Sequence, residues 1–228
     1  MGKLIAIIGA GGKTSTMLAL AERRRDSRVL ITTTTHIYPV LPPVSREFLD
    51  HPQEQQLLEA LEKPGVVCAG ILAGEKKLAG LPEPLFRKAA DKAELTICEA
   101  DGARMHPMKL HRPGEPVIPS DADLCILVAG LSALGKPVSQ VIHRWQRRWA
   151  DQPEQIAGIS EMEACILEAV SLVPEGNCRI RIFLNQLDAM EHPEEGRSLE
   201  KILQEKGFDC RAGSLRQNQS QLTDWMLR

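Results

Sequence analysis

The 228-residue sequence predicts an α/β protein: a mainly parallel β-sheet forms the middle of three layers, with helices on both faces. Three features carry this. Apolar runs of strand length alternate along the chain with stretches patterned as helices. Most of those runs are apolar on both faces, as strands covered from two sides must be. The first run leads straight into a glycine-rich loop and then a helix.

Strands are expected at residues 3–8, 28–33, 66–71, 94–98, 124–129 and 179–184, and at 209–214 on a thinner pattern. The first is rich in branched residues and stops at Gly9. Helices are expected at 14–25, 52–62, 84–92, 138–149, 161–172 and 194–206. In the first helix Met17, Leu18, Leu20 and Ala21 form the apolar face, followed by the charged run 22–25. At 138–149, Val138, Val141, Ile142, Trp145 and Trp149 recur at helical spacing, which assigns the tryptophans to the core and Arg144, Arg147 and Arg148 to solvent. The competing reading, arginines interleaved with stacking indoles on a nucleic-acid surface, fits that spacing less well. His143 and Arg144 remain candidates for the border of a site.

With 43% hydrophobic residues and no linker-like composition break, one domain over 1–228 is expected. A formal charge of −2 supplies no global attraction to nucleic acid or anionic membrane. No apolar stretch approaches the length of a membrane span, and residues 4–8 are too short for a signal segment. The six cysteines lack C-x-x-C spacing and fall mostly in apolar runs, which suits reduced core thiols and a cytoplasmic location.

The loop Gly9-Ala10-Gly11-Gly12-Lys13-Thr14, followed by Ser15, nearly matches G-x-x-x-x-G-K-[ST], but Ile7 occupies the first glycine position. A shorter G-x-x-G-K-T loop from Gly9 supplies the same parts and resembles the loop of the Mur ligase branch of P-loop proteins. Glycines let backbone amides curl round phosphate oxygens, the helix start adds its positive end, Lys13 is a mobile cation, and the Thr14 hydroxyl can bind Mg²⁺. ATP or GTP is the implied ligand. The alternative is a plain strand–glycine–helix turn with Lys13 in solvent.

Ligands of such sheets sit beyond the carboxyl ends of the strands. If the second strand, in "RVLITTTTHIYP", neighbours the first, Thr34, Thr35 and His36 face the phosphates. The fourth, in "LTICEADGARMHPMKLHRPGEPVIP", ends in Glu99 and Asp101, both placed to hold Mg²⁺ directly or through water, although Asp101-Gly102 also reads as a turn. Beyond it His106, Lys109, His111, Arg112 and Glu115 crowd a proline-broken segment without zinc-ligand spacing, the kind of long loop that carries function. In "RIRIFLNQLDAM", Asn185-Gln186-Leu187-Asp188 stands where G proteins carry N-K-x-D. There Asp188 would read guanine; otherwise these residues only close a strand.

Together "GAGGKTST", "ITTTTHIYP", the EADGAR segment, "VAGLSALGKPV" and "VIHRW" resemble the YqeC family of selenium-dependent molybdenum hydroxylase accessory proteins over nearly the whole chain. The resemblance implies a P-loop NTPase-like fold serving maturation of a molybdenum enzyme, with Lys13, Thr14, Thr35, His36, Glu99, Asp101 and Lys109 as site residues. A molybdenum hydroxylase or its other maturation factors are the implied partners. Three activities use these parts: Mg²⁺-dependent nucleotide binding with slow hydrolysis, transfer by a Mur-like ligase or small-molecule kinase to an acceptor near Lys109 and His111, and a nucleotide-gated chaperone or cofactor carrier that does not hydrolyse.

Overall fold

The computed structural model describes residues 2–74, 76–176 and 178–228. The chain runs β1 (Lys3–Gly9), α1 (Lys13–Arg23), β2 (Arg28–Thr33), β3 (His36–Ile37), β4 (Glu47–Asp50), α2 (Glu54–Ala60), β5 (Gly65–Ala73), β6 (Lys77–Ala79), α3 (Glu83–Lys92) and β7 (Leu95–Glu99). It continues through β8 (Met108–Lys109), β9 (Leu124–Gly130), α4 (Val138–Val141), β10 (Ile142–His143), α5 (Gln146–Trp149), α6 (Ile159–Ser171), β11 (Arg179–Asn185), α7 (Pro193–Glu205), β12 (Asp209–Ala212) and α8 (Leu215–Leu227).

Ten strands form one sheet in the order β12-β11-β9-β1-β7-β2-β5-β6-β3, with β4 also on β5. All its pairs are parallel except those made by β6. β8 and β10 form a separate parallel pair. Alternation within a strand explains the three layers. Ile5 and Ile7 of β1, with Leu124, Ile126 and Val128 of β9, pack against Met17 and Leu20 of α1 and Leu222, Trp225 and Met226 of α8. Ile8 of β1 and Cys125, Leu127 and Ala129 of β9 point the other way, onto Met162 and Cys165 of α6 and Leu199 and Leu203 of α7. α2 and α3 cover Leu30 and Val67 further along that second face. Among the described residues all six cysteines are free, and all but Cys178 are buried. No helix is long and apolar enough to cross a membrane among those residues.

Besides the short strands β3, β4, β6 and β8, four features differ from the sequence reading. The expected helix 138–149 is two single turns, α4 and α5, separated by β10 and by Arg144 in the left-handed region at φ 65°. Ile142 and His143 leave the helix to pair with Met108 and Lys109, so apolar residues at helical spacing are buried without a helix. Trp149 is buried, whereas Trp145 is only partly buried against the core. Second, β2 does not neighbour β1, because β7 lies between them. Third, α8 was not expected. Residues 216–221 are all polar, Asn218 is non-helical (φ −129°) inside it, and Ser214 caps it by accepting from the Arg216 amide at 3.2 Å. The last strand stops at Ala212.

Candidate functional site

β1, β7 and β2 end side by side, with Ile7 opposite Glu99 and Glu99 opposite Thr33. The chain leaves β1 through Gly9 (φ 91°), Gly11 (φ 78°) and Gly12 (φ 132°), all in the left-handed region. Space demands all three glycines as well: a Cβ on Gly9 would lie 2.2 Å from the Val128 carbonyl oxygen. A Cβ on Gly11 would lie 2.4 Å from the Gly130 Cα, and one on Gly12 would lie 2.2 Å from Asn185 Nδ2. Asn185 Nδ2 donates to the Gly11 carbonyl at 3.0 Å, so the end of β11 braces the loop. α1 then starts at Lys13, and Gly12 accepts from the Thr16 amide at 2.9 Å and hydroxyl at 3.0 Å. Thr14 and Ser15 are exposed on its first turn.

Lys13 is only 6% exposed and folds back over the loop. Its Nζ donates to the Gly9 carbonyl at 2.8 Å and stands 2.8 Å from Asp101 Oδ1 and 3.6 Å from Glu99 Oε1. Asp101 is fully buried. Its Oδ2 accepts from the Gly9 amide at 2.9 Å and Lys109 Nζ at 3.0 Å, and lies 2.8 Å from His111 Nε2. The Lys13 contact to Oδ1 lies off hydrogen-bonding geometry and is ionic. Burial opposes ionisation of Asp101, but Lys13, His111 and Lys109 outweigh it and hold the carboxyl well below its usual range.

Glu99 is the opposite case. Its Oε2 is buried without a hydrogen-bond partner, and burial, with Asp101 alongside, outweighs Lys13 and raises its pKa. Two acids two residues apart are thus shifted in opposite directions: Asp101 is surrounded by bases, and Glu99 presents a buried oxygen without a hydrogen-bond partner. Around them, His111 is held between Asp101 and Glu168, whose Oε2 lies 2.8 Å from its Nδ1 and whose Oε1 accepts from its backbone amide at 3.0 Å. Burial would lower the His111 pKa, but the two carboxylates raise it, which favours an imidazolium donating both ways. Lys109 Nζ also donates to the Gly102 carbonyl at 2.7 Å and reaches Glu115 at 3.4 Å. Burial lowers its pKa against the pull of Asp101. Arg144 grips Glu115 through two hydrogen bonds of 2.6 and 3.1 Å, Arg112 adds an ion pair at 2.8 Å, and the Glu115 pKa falls to about 2 despite the cost of burial.

The structure therefore brings together the glycine loop, Lys13, Glu99, Asp101, Lys109 and Asn185. Thr35 joins at one remove: its amide donates to Thr33 Oγ1 at 2.9 Å, and that hydroxyl donates to the Glu99 carbonyl at 2.7 Å. His36 does not join; it lies exposed on β3, opposite Ala79. Asp188 is exposed in a 3-10 turn and has no hydrogen bond among the described residues, while Gln186 is occupied by Ser132 at 2.7 Å. Arg144, expected in solvent, is a structural partner of Glu115. Glu168 has no motif around it; its one signal is an acid beside the buried stripe Met162, Cys165, Ile166 and Ala169 of α6.

A family model described as YqeC protein matches residues 5–146, which include the loop, both acids, Lys109 and Arg144. The chain belongs to the YqeC family. It is 32% identical over 204 residues to "Uncharacterized protein YqeC" of Escherichia coli (strain K12), covering 83% of this chain and 78% of that relative. The part of the YqeC match that follows β7, residues 100–146, includes the long segment 100–123, regular only at β8, whose fixed points are Asp101, Lys109, His111 and Glu115.

Proposed function

We propose that this protein binds a nucleoside triphosphate with Mg²⁺ at the β1–α1 loop, hydrolyses it slowly, and serves as an accessory factor in maturing a selenium-dependent molybdenum hydroxylase. The observation that carries the nucleotide reading is the buried, unpartnered Glu99 Oε2 beside Lys13 at the head of a glycine loop. Isolated buried carboxylate oxygens are costly, and here one stands where a cation would compensate it. Among the described residues no three His, Cys, Asp or Glu side chains cluster to hold a metal by themselves. That suits Mg²⁺, which keeps most of its waters and takes one or two protein ligands. Glu99 and the exposed Thr14 hydroxyl are the fitting ligands; when bound, the metal would neutralise charge on the β- and γ-phosphates.

In this reading the loop amides and the start of α1 receive phosphate oxygens. Lys13 exchanges the Gly9 carbonyl and Asp101 for phosphate. Asp101 acts mainly through others, fixing the Gly9 amide and the ammonium groups of Lys13 and Lys109. The maturation role, with a molybdenum hydroxylase or its other maturation factors as partners in the cytoplasm, rests on family resemblance.

The test is thermal unfolding with ATP, GTP and CTP, each with and without Mg²⁺, on the wild type and Lys13→Ala. A ligand at a hundred times its Kd stabilises by about 2.7 kcal/mol. The wild type should shift only with Mg²⁺ and nucleotide together, and Lys13→Ala should not shift. Equal shifts in the two proteins would leave the loop as a plain turn. GTP is expected to match ATP or exceed it only modestly, because Asp188 is exposed and Gln186 replaces the base-covering lysine.

A further inference from the structure

Where Arg112 and Arg144 meet Glu115 lies a cleft of about 420 Å³, lined also by Arg104, His106, Ser139, Ile142, His143, Trp145 and Gln146. Its volume falls within the range of small-molecule sites. Its composition is one-sided: three arginines and two histidines, no acid, and neutral donors in Ser139 and Gln146. One carboxylate, Glu115, serves Arg112, Arg144 and Lys109 at once. Among the described residues no side chain pairs with Arg104.

Two further observations point to a ligand. Five non-glycine residues among those described have positive φ, and three of them, Arg104 (46°), Met105 (64°) and Arg144 (65°), stand at this cleft. Such strain gathers where a side chain must be aimed. Met105, between two lining residues, is 97% exposed. The cleft also registers its own field: burial and then Arg144, His106, Lys109 and Arg104 lower the His143 pKa to about 4, so one imidazole stays neutral among the cations. Its ring stacks at a tilt on His106, with centroids 5.5 Å apart, and with Trp145 supplies flat apolar wall.

We propose that this cleft binds a small phosphorylated molecule, with the phosphate held by Arg104 and Arg112 against Arg144 and the body of the ligand against Trp145 and the histidine rings. Planar guanidinium forks match a phosphate dianion, and the polar lining offers donors to a group that only accepts. The site does not depend on the nucleotide reading, because none of its lining residues belongs to the glycine loop or to β7. β8 and β10 nevertheless join the two sites, since Lys109 of the acid cluster pairs in register with His143 of the cleft.

The experiment is calorimetric titration with inorganic phosphate and phenyl phosphate, with phthalate as the carboxylate probe. The proteins are the wild type, the double variant Arg104→Gln/Arg112→Gln, and Lys13→Ala. Both substituted arginines are exposed, so the double variant should fold. Phenyl phosphate should bind the wild type and Lys13→Ala alike, more tightly than phosphate, and roughly tenfold or more weakly to the double variant. In parallel, imidazole NMR of the wild type should show the His143 pKa rising by about half a unit or more when phenyl phosphate binds, because an anion then offsets the surrounding cations. Equal affinity in wild type and double variant with His143 unmoved would overturn the assignment. So would binding lost in a folded Lys13→Ala, which would place the phosphate in the glycine loop, or tighter binding of phthalate than of phenyl phosphate.

Discussion

Asp101 and Glu99 lie on one strand end two residues apart, yet removing the charge of each should have opposite consequences. Asp101→Asn keeps the shape but turns one oxygen into an NH₂ donor. Placed at Oδ2, that group faces the Gly9 amide, Lys109 and His111; placed at Oδ1, it faces Lys13 at 2.8 Å. Neither orientation escapes a donor–donor contact, and either leaves buried cations short of one charge. Losing one partner of such a buried ionic group costs about 3–5 kcal/mol. For a chain of this size each kcal/mol moves Tm by about 2–4 °C, so a fall on the order of 10 °C is expected. Glu99→Gln removes a charge that burial already disfavours and whose Oε2 has no partner. Its stability should change by less than about 1 kcal/mol, in either direction. Scanning calorimetry at neutral pH without ligands reads both. An Asp101→Asn protein melting within about 2 °C of the wild type, or a Glu99→Gln protein falling as far as Asp101→Asn, would refute the division of roles argued here. The functional readout should invert for Glu99→Gln, which should keep its fold and lose the Mg²⁺-dependent stabilisation by nucleotide.

Gly11→Ala should lower Tm and abolish nucleotide-dependent shifts, because it places a methyl 2.4 Å from Gly130 Cα at φ 78°; a wild-type melting curve would show that the loop does not pack as described. Trp225→Ala should cost about 3–5 kcal/mol in urea unfolding, through lost burial and loss of the 2.8 Å bond from its indole to Asp209. Glu115 has its folded pKa depressed from 4.5 to about 2, so its contribution is present above pH 4.5 and is lost as pH falls toward 2. Glu115→Gln should therefore flatten the decline in stability over that window, and an unchanged acid limb in pH-resolved denaturation would remove Glu115 from the network.

What was legible in the sequence follows from how local its cause is. β1, β7 and β9 are covered on both faces, so their apolar runs announce themselves without knowledge of neighbours. The loop glycines were legible because backbone geometry requires them, and the acids of "EADG" because an apolar strand seldom ends in two carboxylates. Glu168 was not legible: it meets His111 across 57 positions, and nothing near it in sequence calls for an acid. The fate of Arg144 was hidden in the same way, since its spacing among apolar residues fits a solvated helical position while its partner Glu115 lies 29 residues back. The insertion of β7 between β1 and β2 is a matter of connection, which no strand pattern encodes. α8 escaped because residues 216–221 are all polar, so no apolar period marks its first turns.

The seat of α8 also bears on how the molecule is made. Met17 and Leu20 of α1 share one apolar cluster with Leu222, Trp225 and Met226, and the Lys3 ammonium donates to the Leu227 carbonyl across 224 positions. During synthesis, the first helix and the face of β1 beneath it emerge long before the segment that covers them. Contacts of such sequence separation form late and slowly, and until they do the nascent chain carries an open greasy surface beside its glycine loop. Ribosome-bound chains halted before residue 215 should therefore recruit holding chaperones through the α1 face, and only chains that have released α8 should become resistant to protease there.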